Sequence, residues 1–126
     1  MGDGKTILLI DDDELVLQSL AAVLTSKGYL VEKARNGFEA LEKAQVQEFG
    51  LLISDIRMPG MDGIELIRRI REINMEKQRK PIPEILITGY SDENTYLRAL
   101  KLKVTEYLYK PFDMELFLEI IRRRLE

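Results

Sequence analysis

Four short stretches of this chain carry the residues that could do chemistry. The first is Ile10-Asp11-Asp12-Asp13, the second Ser54-Asp55, the third Thr88-Gly89 and the fourth Tyr109-Lys110-Pro111. There is no His and no Cys anywhere in the 126 residues. Serine–histidine triads, phosphohistidine intermediates, thiol nucleophiles and His- or Cys-ligated metals are therefore excluded within the chain. What is left is carboxylate, ammonium, hydroxyl and an oxygen-loving cation. Two carboxylates about 4 Å apart repel by about 4 kcal/mol at an effective dielectric of 20, so a cluster of Asp residues makes sense around a divalent ion. Oxygen-only ligands favour Mg²⁺ with several waters retained, with Mn²⁺ as the other candidate. Such an ion beside a carboxylate, a Lys and a Thr is equipment for phosphoryl transfer with the carboxylate as nucleophile.

The elements that must bring these residues together follow from the hydrophobic pattern. Strands are expected at 6–10, 30–34, 50–54, 84–88 and 106–109, and helices at 14–27, 38–47, 63–75, from 91 onward, and from 113 to 125. The first helix is expected to turn Val16, Leu17, Leu20, Ala21 and Leu24 inward, the second Phe38, Leu41 and Ala44, the third Ile64, Ile67, Ile70 and Ile73, and the last Leu116, Phe117, Ile120 and Ile121. Ser91 is expected to cap the fourth helix and Asp113 the fifth. The fourth helix has the weakest amphipathic pattern. Strand–helix alternation repeated five times predicts an α/β fold, a five-stranded parallel sheet with helices on both faces. All four chemical stretches then lie at strand C-terminal ends, where such sheets bind ligands.

Hydrophobic residues are 45% and charged residues 33% of the chain, the balance of an ordinary globular domain. The length suits one domain, spanning 1–126, either alone or cut from a longer protein. No apolar run approaches a membrane span and no signal peptide is visible, which points to a cytoplasmic protein without a membrane partner. The net charge of −3 argues against direct nucleic-acid binding by this segment.

Taken together, Leu8-Leu9-Ile10-Asp11-Asp12-Asp13, the run from Asp55 through Met58-Pro59-Gly60-Met61-Asp62-Gly63, Ile87-Thr88-Gly89 and Tyr107-Leu108-Tyr109-Lys110-Pro111-Phe112 resemble the receiver domains of two-component response regulators, of the chemotaxis-receiver type. The resemblance covers nearly the whole chain in order. It implies a flavodoxin-like sheet of strand order 2-1-3-4-5 and a phosphorelay switch in place of a turnover enzyme. It implies that Asp55 takes a phosphoryl group from the phosphohistidine of a sensor kinase or phosphotransfer protein. By the same resemblance, Mg²⁺ is held by Asp12, Asp55 and the Arg57 backbone carbonyl, with Asp11 acting through water. Thr88 and Lys110 contact the phosphoryl oxygens, Tyr107 turns inward when Thr88 moves, and the Lys110–Pro111 bond is cis. Arg57 and Tyr90 flank the phosphorylation site and tune the phosphoryl lifetime. Output runs to an attached domain, an effector or a second copy through the fourth helix, fifth strand and fifth helix. Lys101, Lys103 and 122–124 make that side basic, with Glu93 and Glu106 as exposed acidic counterparts. Lys103 stands where such domains often have Gly.

Each residue has a plainer reading beside this one. Asp13 suits a helix cap, Asp55 a turn, Lys110 a solvated charge and Tyr107 a half-buried strand aromatic. Rival classes are an Asp-nucleophile phosphatase of the haloacid dehalogenase type, a flavodoxin-like cofactor binder and a phosphorylation-independent pseudo-receiver. Leu15 breaks the phosphatase motif, three Asp residues would repel a cofactor phosphate, and no residue that a pseudo-receiver would lack is missing.

Overall fold

The computed structural model describes residues 5–90 and 92–125. Five strands and five helices alternate: β1 (Ile7–Ile10), α1 (Glu14–Ser26), β2 (Val31–Ala34), α2 (Gly37–Val46), β3 (Leu51–Asp55), α3 (Gly63–Glu76), β4 (Glu84–Thr88), α4 (Glu93–Leu102), β5 (Glu106–Tyr109) and α5 (Met114–Leu125). The strands form one sheet in the order β2-β1-β3-β4-β5. Every pairing is parallel.

The central strands are apolar on both faces because both faces are covered. Leu8, Ile10, Leu52 and Leu86 point towards a core shared with α2, α3 and α4. Ile7, Leu9, Leu51, Ile53, Ile85 and Ile87 alternate to the other side and pack with α1 and α5. Asp13 caps α1 by accepting from the backbone N–H groups of Leu15 and Val16, Asn36 caps α2, and Asp62 caps α3. Asp113 accepts from the Glu115 N–H at the start of α5.

Three expectations are corrected. Phe38 is 55% exposed. The face that α2 buries is made of Gly37, Ala40 and Ala44, so α2 sits close to its neighbours and Phe38 is turned out, its ring lying beside Gly60. Leu116 is 51% exposed, because the buried stripe of α5 is Phe117, Ile120 and Ile121 and the preceding residue is rotated off it. The cap of α4 is Asp92, which accepts from the Asn94 N–H and the Thr95 hydroxyl; Ser91 lies outside the described residues.

At the C-terminal end of α4, Lys103 is left-handed, with φ 58° and ψ 48°. Its N–H closes the helix on the Ala99 and Leu100 carbonyls. The turn therefore keeps the geometry that a Gly would adopt without strain, and places a Lys in it. Below this turn, Arg71 ties three elements together. Its guanidinium donates to both Glu84 carboxylate oxygens at 2.7 and 2.6 Å and to the Leu102 carbonyl at 2.7 Å. Glu84 is 4% exposed, so the pairing answers a carboxylate that would otherwise be costly to bury.

Candidate phosphoryl-acceptor and metal site

Parallel register carries the four chemical stretches to one rim. Ile10 pairs with Ser54, Asp55 with Ile87, and Thr88 with Tyr109. The residues that end or immediately follow these strands, Asp11, Asp12, Asp55, Thr88 and Lys110, therefore share one edge of the sheet. Lys110 is anchored there by its N–H, which donates to the Thr88 carbonyl at 2.8 Å, and the Lys110–Pro111 peptide is cis.

Asp11, Asp12 and Asp55 each offer a carboxylate oxygen, all within 4.8 Å of one another. Asp11 is buried, Asp55 half-buried and Asp12 exposed. The Lys110 ammonium lies 3.6 Å from Asp11 and 3.8 Å from Asp55. Asp11 also accepts from the Asp13 N–H and Asp55 from the Ile56 N–H. Burial, reinforced by the charge of Asp11, pushes the Asp55 carboxyl up to about 6. Asp11 is raised too, chiefly by burial. One ammonium thus leaves the repulsion among three carboxylates incompletely offset. A hard divalent cation fits this donor set: oxygen atoms only, uneven exposure leaving a solvent side for water ligands, and an unbalanced negative charge.

The loop after β3 is held against the site by a glycine that the sequence reading took only as a helix start. The Gly63 N–H donates to the Ile56 carbonyl at 2.8 Å. A Cβ at 63 would collide with the Asp55 backbone oxygen and lie 3.1 Å from the Ile56 Cα. The Asp-Gly pair ahead of a helix was the available signal, since Gly gains nothing inside a first turn unless something approaches closely. Asp62 has a second duty that no local signal announces. Beyond capping α3, its other oxygen accepts from Arg98 of α4 at 3.1 Å.

Thr88 is 2% exposed and its hydroxyl oxygen accepts from the Tyr90 N–H at 3.2 Å. Arg57 and Tyr90, read as flanking residues, are in contact: the guanidinium carbon sits 3.9 Å from the Tyr90 ring centroid, a cation–π stack. Tyr107 is half-buried against the core, with its ring edge-on to Tyr96 at 5.1 Å and to Tyr109 at 5.3 Å. Its hydroxyl is enclosed and has no hydrogen-bond partner among the described residues.

Comparison with known proteins gives the family. The response regulator receiver domain model matches residues 7–122, and the chain belongs to that family, the signalling switches of two-component systems. It is 40% identical over 114 residues to the transcriptional regulatory protein ZraR of Klebsiella oxytoca, covering 90% of this chain and 25% of that protein. The chain spans between a quarter and just over half the length of the first curated relatives it matches, 57% in the case of FixJ from Rhizobium meliloti. Among solved structures, a CheY-like receiver domain protein from Methanospirillum hungatei superposes with a TM-score of 0.86 at 31% identity, covering 96% of this chain and 93% of that one. A Burkholderia pseudomallei response regulator, solved with a phosphorylated aspartic acid and a calcium ion, gives a TM-score of 0.80 at 30% identity over 97% of this chain and 66% of that one.

Proposed function

We propose that this receiver accepts a phosphoryl group on Asp55 from the phosphohistidine of a sensor kinase or histidine phosphotransfer protein. The observation that carries the reading is the convergence of Asp55, Asp11, Asp12 and Lys110 at one strand rim with a buried Thr88 beside them. An Asp55 carboxylate oxygen attacks phosphorus, the P–N bond breaks, and the electron pair leaves with the imidazole nitrogen. The product is an acyl phosphate on Asp55. Lys110 offsets charge on the transferring oxygens, and the Thr88 hydroxyl, whose oxygen accepts from the Tyr90 N–H, donates its proton to one of them. Asp12, Asp55 and the Arg57 carbonyl would hold Mg²⁺ or Mn²⁺, with Asp11 acting through water. The ion supplies charge neutralisation and orientation of the phosphoryl oxygens. The phosphorylated aspartate and calcium ion of the Burkholderia relative support the same assignment here.

Arg57 and Tyr90 tune the lifetime of the acyl phosphate. Arg57 lies two residues past Asp55 and Tyr90 two past Thr88, so in this reading their stack shields the approach to Asp55, and neither side chain is a carboxylate or carboxamide able to orient an attacking water. Output passes through α4, β5 and α5 to an attached domain, an effector or a second copy. On that surface the expectation of an exposed Glu106 is corrected. Glu106 is half-buried and bonded to Arg124 at 2.7 Å, and Arg122 pairs with Glu119 within α5. Beside Glu93, Lys101, Lys103, Arg122 and Arg123, which stay exposed, these elements expose apolar side chains: Tyr96, Leu97 and Leu100 of α4, Tyr109 of β5 and Leu116 of α5. No helix among the described residues is long and apolar enough to cross a membrane, and the switch is assigned to the cytoplasm, where its phosphodonors reside.

The test is transfer of radiolabel from acetyl phosphate. Wild-type protein should retain label with Mg²⁺ and lose most of it with chelator, while Asp55→Asn should retain none. A pseudo-receiver would take up no label in either buffer, and a phosphatase would release it to solution at once.

A further inference from the structure

The two ends of the sheet differ sharply in charge. At the rim that carries Asp55, the connecting loops hold Asp11, Asp12, Asp13, Asp62, Asp92 and Asp113 against Arg35, Arg57 and Lys110. At the opposite end, the segments leading into the strands hold Lys5, Lys27, Lys77, Arg79, Lys80 and Lys103 against Glu48 alone among the described residues. The chain as a whole is acidic, at −3, so this basic end is a local feature set against the overall balance.

The loop from 77 to 83 is the centre of that end. Lys77 and Lys80 are exposed, and no ion pair engages either among the described residues. Arg79 is spent on neutral acceptors, the Ala44 carbonyl at 2.6 Å and the Asn74 side-chain oxygen at 3.1 Å, and no carboxylate pairs with it among the described residues. Two clefts flank the loop. One, of about 750 Å³, is lined by Lys5, Glu48, Phe49 and the loop itself. The other, of about 430 Å³, runs between α3 and the turn after α4, with Ile70, Met75, Pro81, Ile82 and Lys103 on its walls. Met75 is 77% exposed beside it. Cations at the rim and apolar surface in the cleft form a combination that a bare phosphate backbone does not use.

We infer that the end of the sheet opposite Asp55, centred on Lys77, Lys80 and the adjoining clefts, is a docking surface for an acidic protein segment that also carries apolar side chains. The segment's carboxylates meet the lysines, and its apolar residues enter against Met75, Pro81 and Ile82. Concave, part-apolar walls favour a peptide over a duplex, whose phosphates would find only the lysines. The surface lies across the sheet from the phosphorylation rim, so a partner seated there leaves Asp55 open to its donor.

The test uses a fluorescent peptide alternating Glu with Leu and Phe, titrated against the protein by anisotropy. The charge-reversing pair Lys77→Glu with Lys80→Glu should weaken binding by about tenfold or more, and Lys77→Gln with Lys80→Gln by less. A matched reversal on the flank of α3, Arg68→Glu with Arg69→Glu, should leave binding unchanged, as should Asp55→Asn. Far-ultraviolet circular dichroism and phosphorylation by acetyl phosphate should be intact in the loop variants. Absence of peptide binding overturns the inference, as does equal affinity in parent and loop variants. Tighter binding of a duplex oligonucleotide or of phosphatidylserine vesicles than of the peptide overturns the class of partner. A loss confined to self-association, seen by sedimentation, would assign the surface to a second copy and overturn it equally.

Discussion

Asp55 is the residue on which the electrostatics of the rim concentrate. Its carboxyl is raised from the ordinary 3.8 to about 6 by burial and by Asp11. A folded-state value above the unfolded one means that the native protein binds the proton more tightly. The contribution is fully present below about 3.8 and is lost as pH rises through 6. In chelator, thermal stability should therefore fall between pH 4.5 and 7 by up to roughly 2 kcal/mol from this group, less where water reaches the site. Asp55→Asn should raise the midpoint more at pH 7 than at pH 4.5, and a difference independent of pH would contradict the assignment. The Arg57–Tyr90 stack makes a second claim at this scale. Arg57→Asn with Tyr90→Ala opens the approach and gives an incoming water a carboxamide to lean on, so phosphoryl half-life should shorten. A tenfold change corresponds to about 1.4 kcal/mol of barrier. Equal half-lives in the same Mg²⁺ buffer would assign Tyr90 to partner recognition alone.

Among the elements, α4 is the least secured. Ala99 is its one buried residue among those described, and its hold on the domain comes largely from its ends and edges: the Asp92 cap, the Arg98–Asp62 bridge and the Arg71 bond to Leu102. Its weak pattern in the sequence now has a physical reason, since Tyr96, Leu97 and Leu100 face outward in place of a charged stripe. Its C-terminal turn holds a strained position. A non-Gly residue in left-handed geometry costs about 1–2 kcal/mol, while Gly loses about 0.4–1 kcal/mol more through the unfolded chain. Lys103→Gly should therefore stabilise by about 0.5–1 kcal/mol and raise the midpoint by about 2–4 °C. An unchanged or lower midpoint by calorimetry would show that the lysine contributes something the turn geometry does not. Strand positions and the α3 stripe were legible in the sequence because a two-sided sheet leaves continuous apolar runs and one-sided helices leave a 3.6 period. Phe38 and Leu116 were misread because each sits one position off the true stripe, where apolarity alone does not fix the rotation of a helix. The Arg71–Glu84 pair joins α3 to β4 with no motif at either residue, and pairing across that distance leaves no periodic trace.

At the scale of the molecule, the fold gathers carboxylates that an unfolded chain keeps apart, so a cation bound there would couple to native stability. The candidate site was legible almost whole, because Asp11, Asp12, Asp55, Thr88 and Lys110 all sit at strand ends and parallel topology alone brings strand ends together. What lay beyond reading was contact: the Arg57–Tyr90 stack, the Gly63 approach to Asp55, and the enclosed Tyr107 hydroxyl. Mg²⁺ at about ten times its dissociation constant should add about 1.4 kcal/mol, or roughly 3–5 °C in midpoint. Asp12→Ala should remove most of that gain while raising the metal-free midpoint, because repulsion at the rim is relieved; a metal-free midpoint unchanged or lowered would contradict the repulsion argument. The claim on which the rest depends is an acyl phosphate at Asp55, and borohydride trapping reads it directly. Reduction of the phosphorylated protein with tritiated borohydride converts an acyl phosphate to labelled homoserine, which peptide mapping then locates. The account predicts label at position 55 alone, dependent on Mg²⁺ during phosphorylation and absent from Asp55→Asn. Label at Asp11 or Asp12, or the same label in Asp55→Asn, would contradict it.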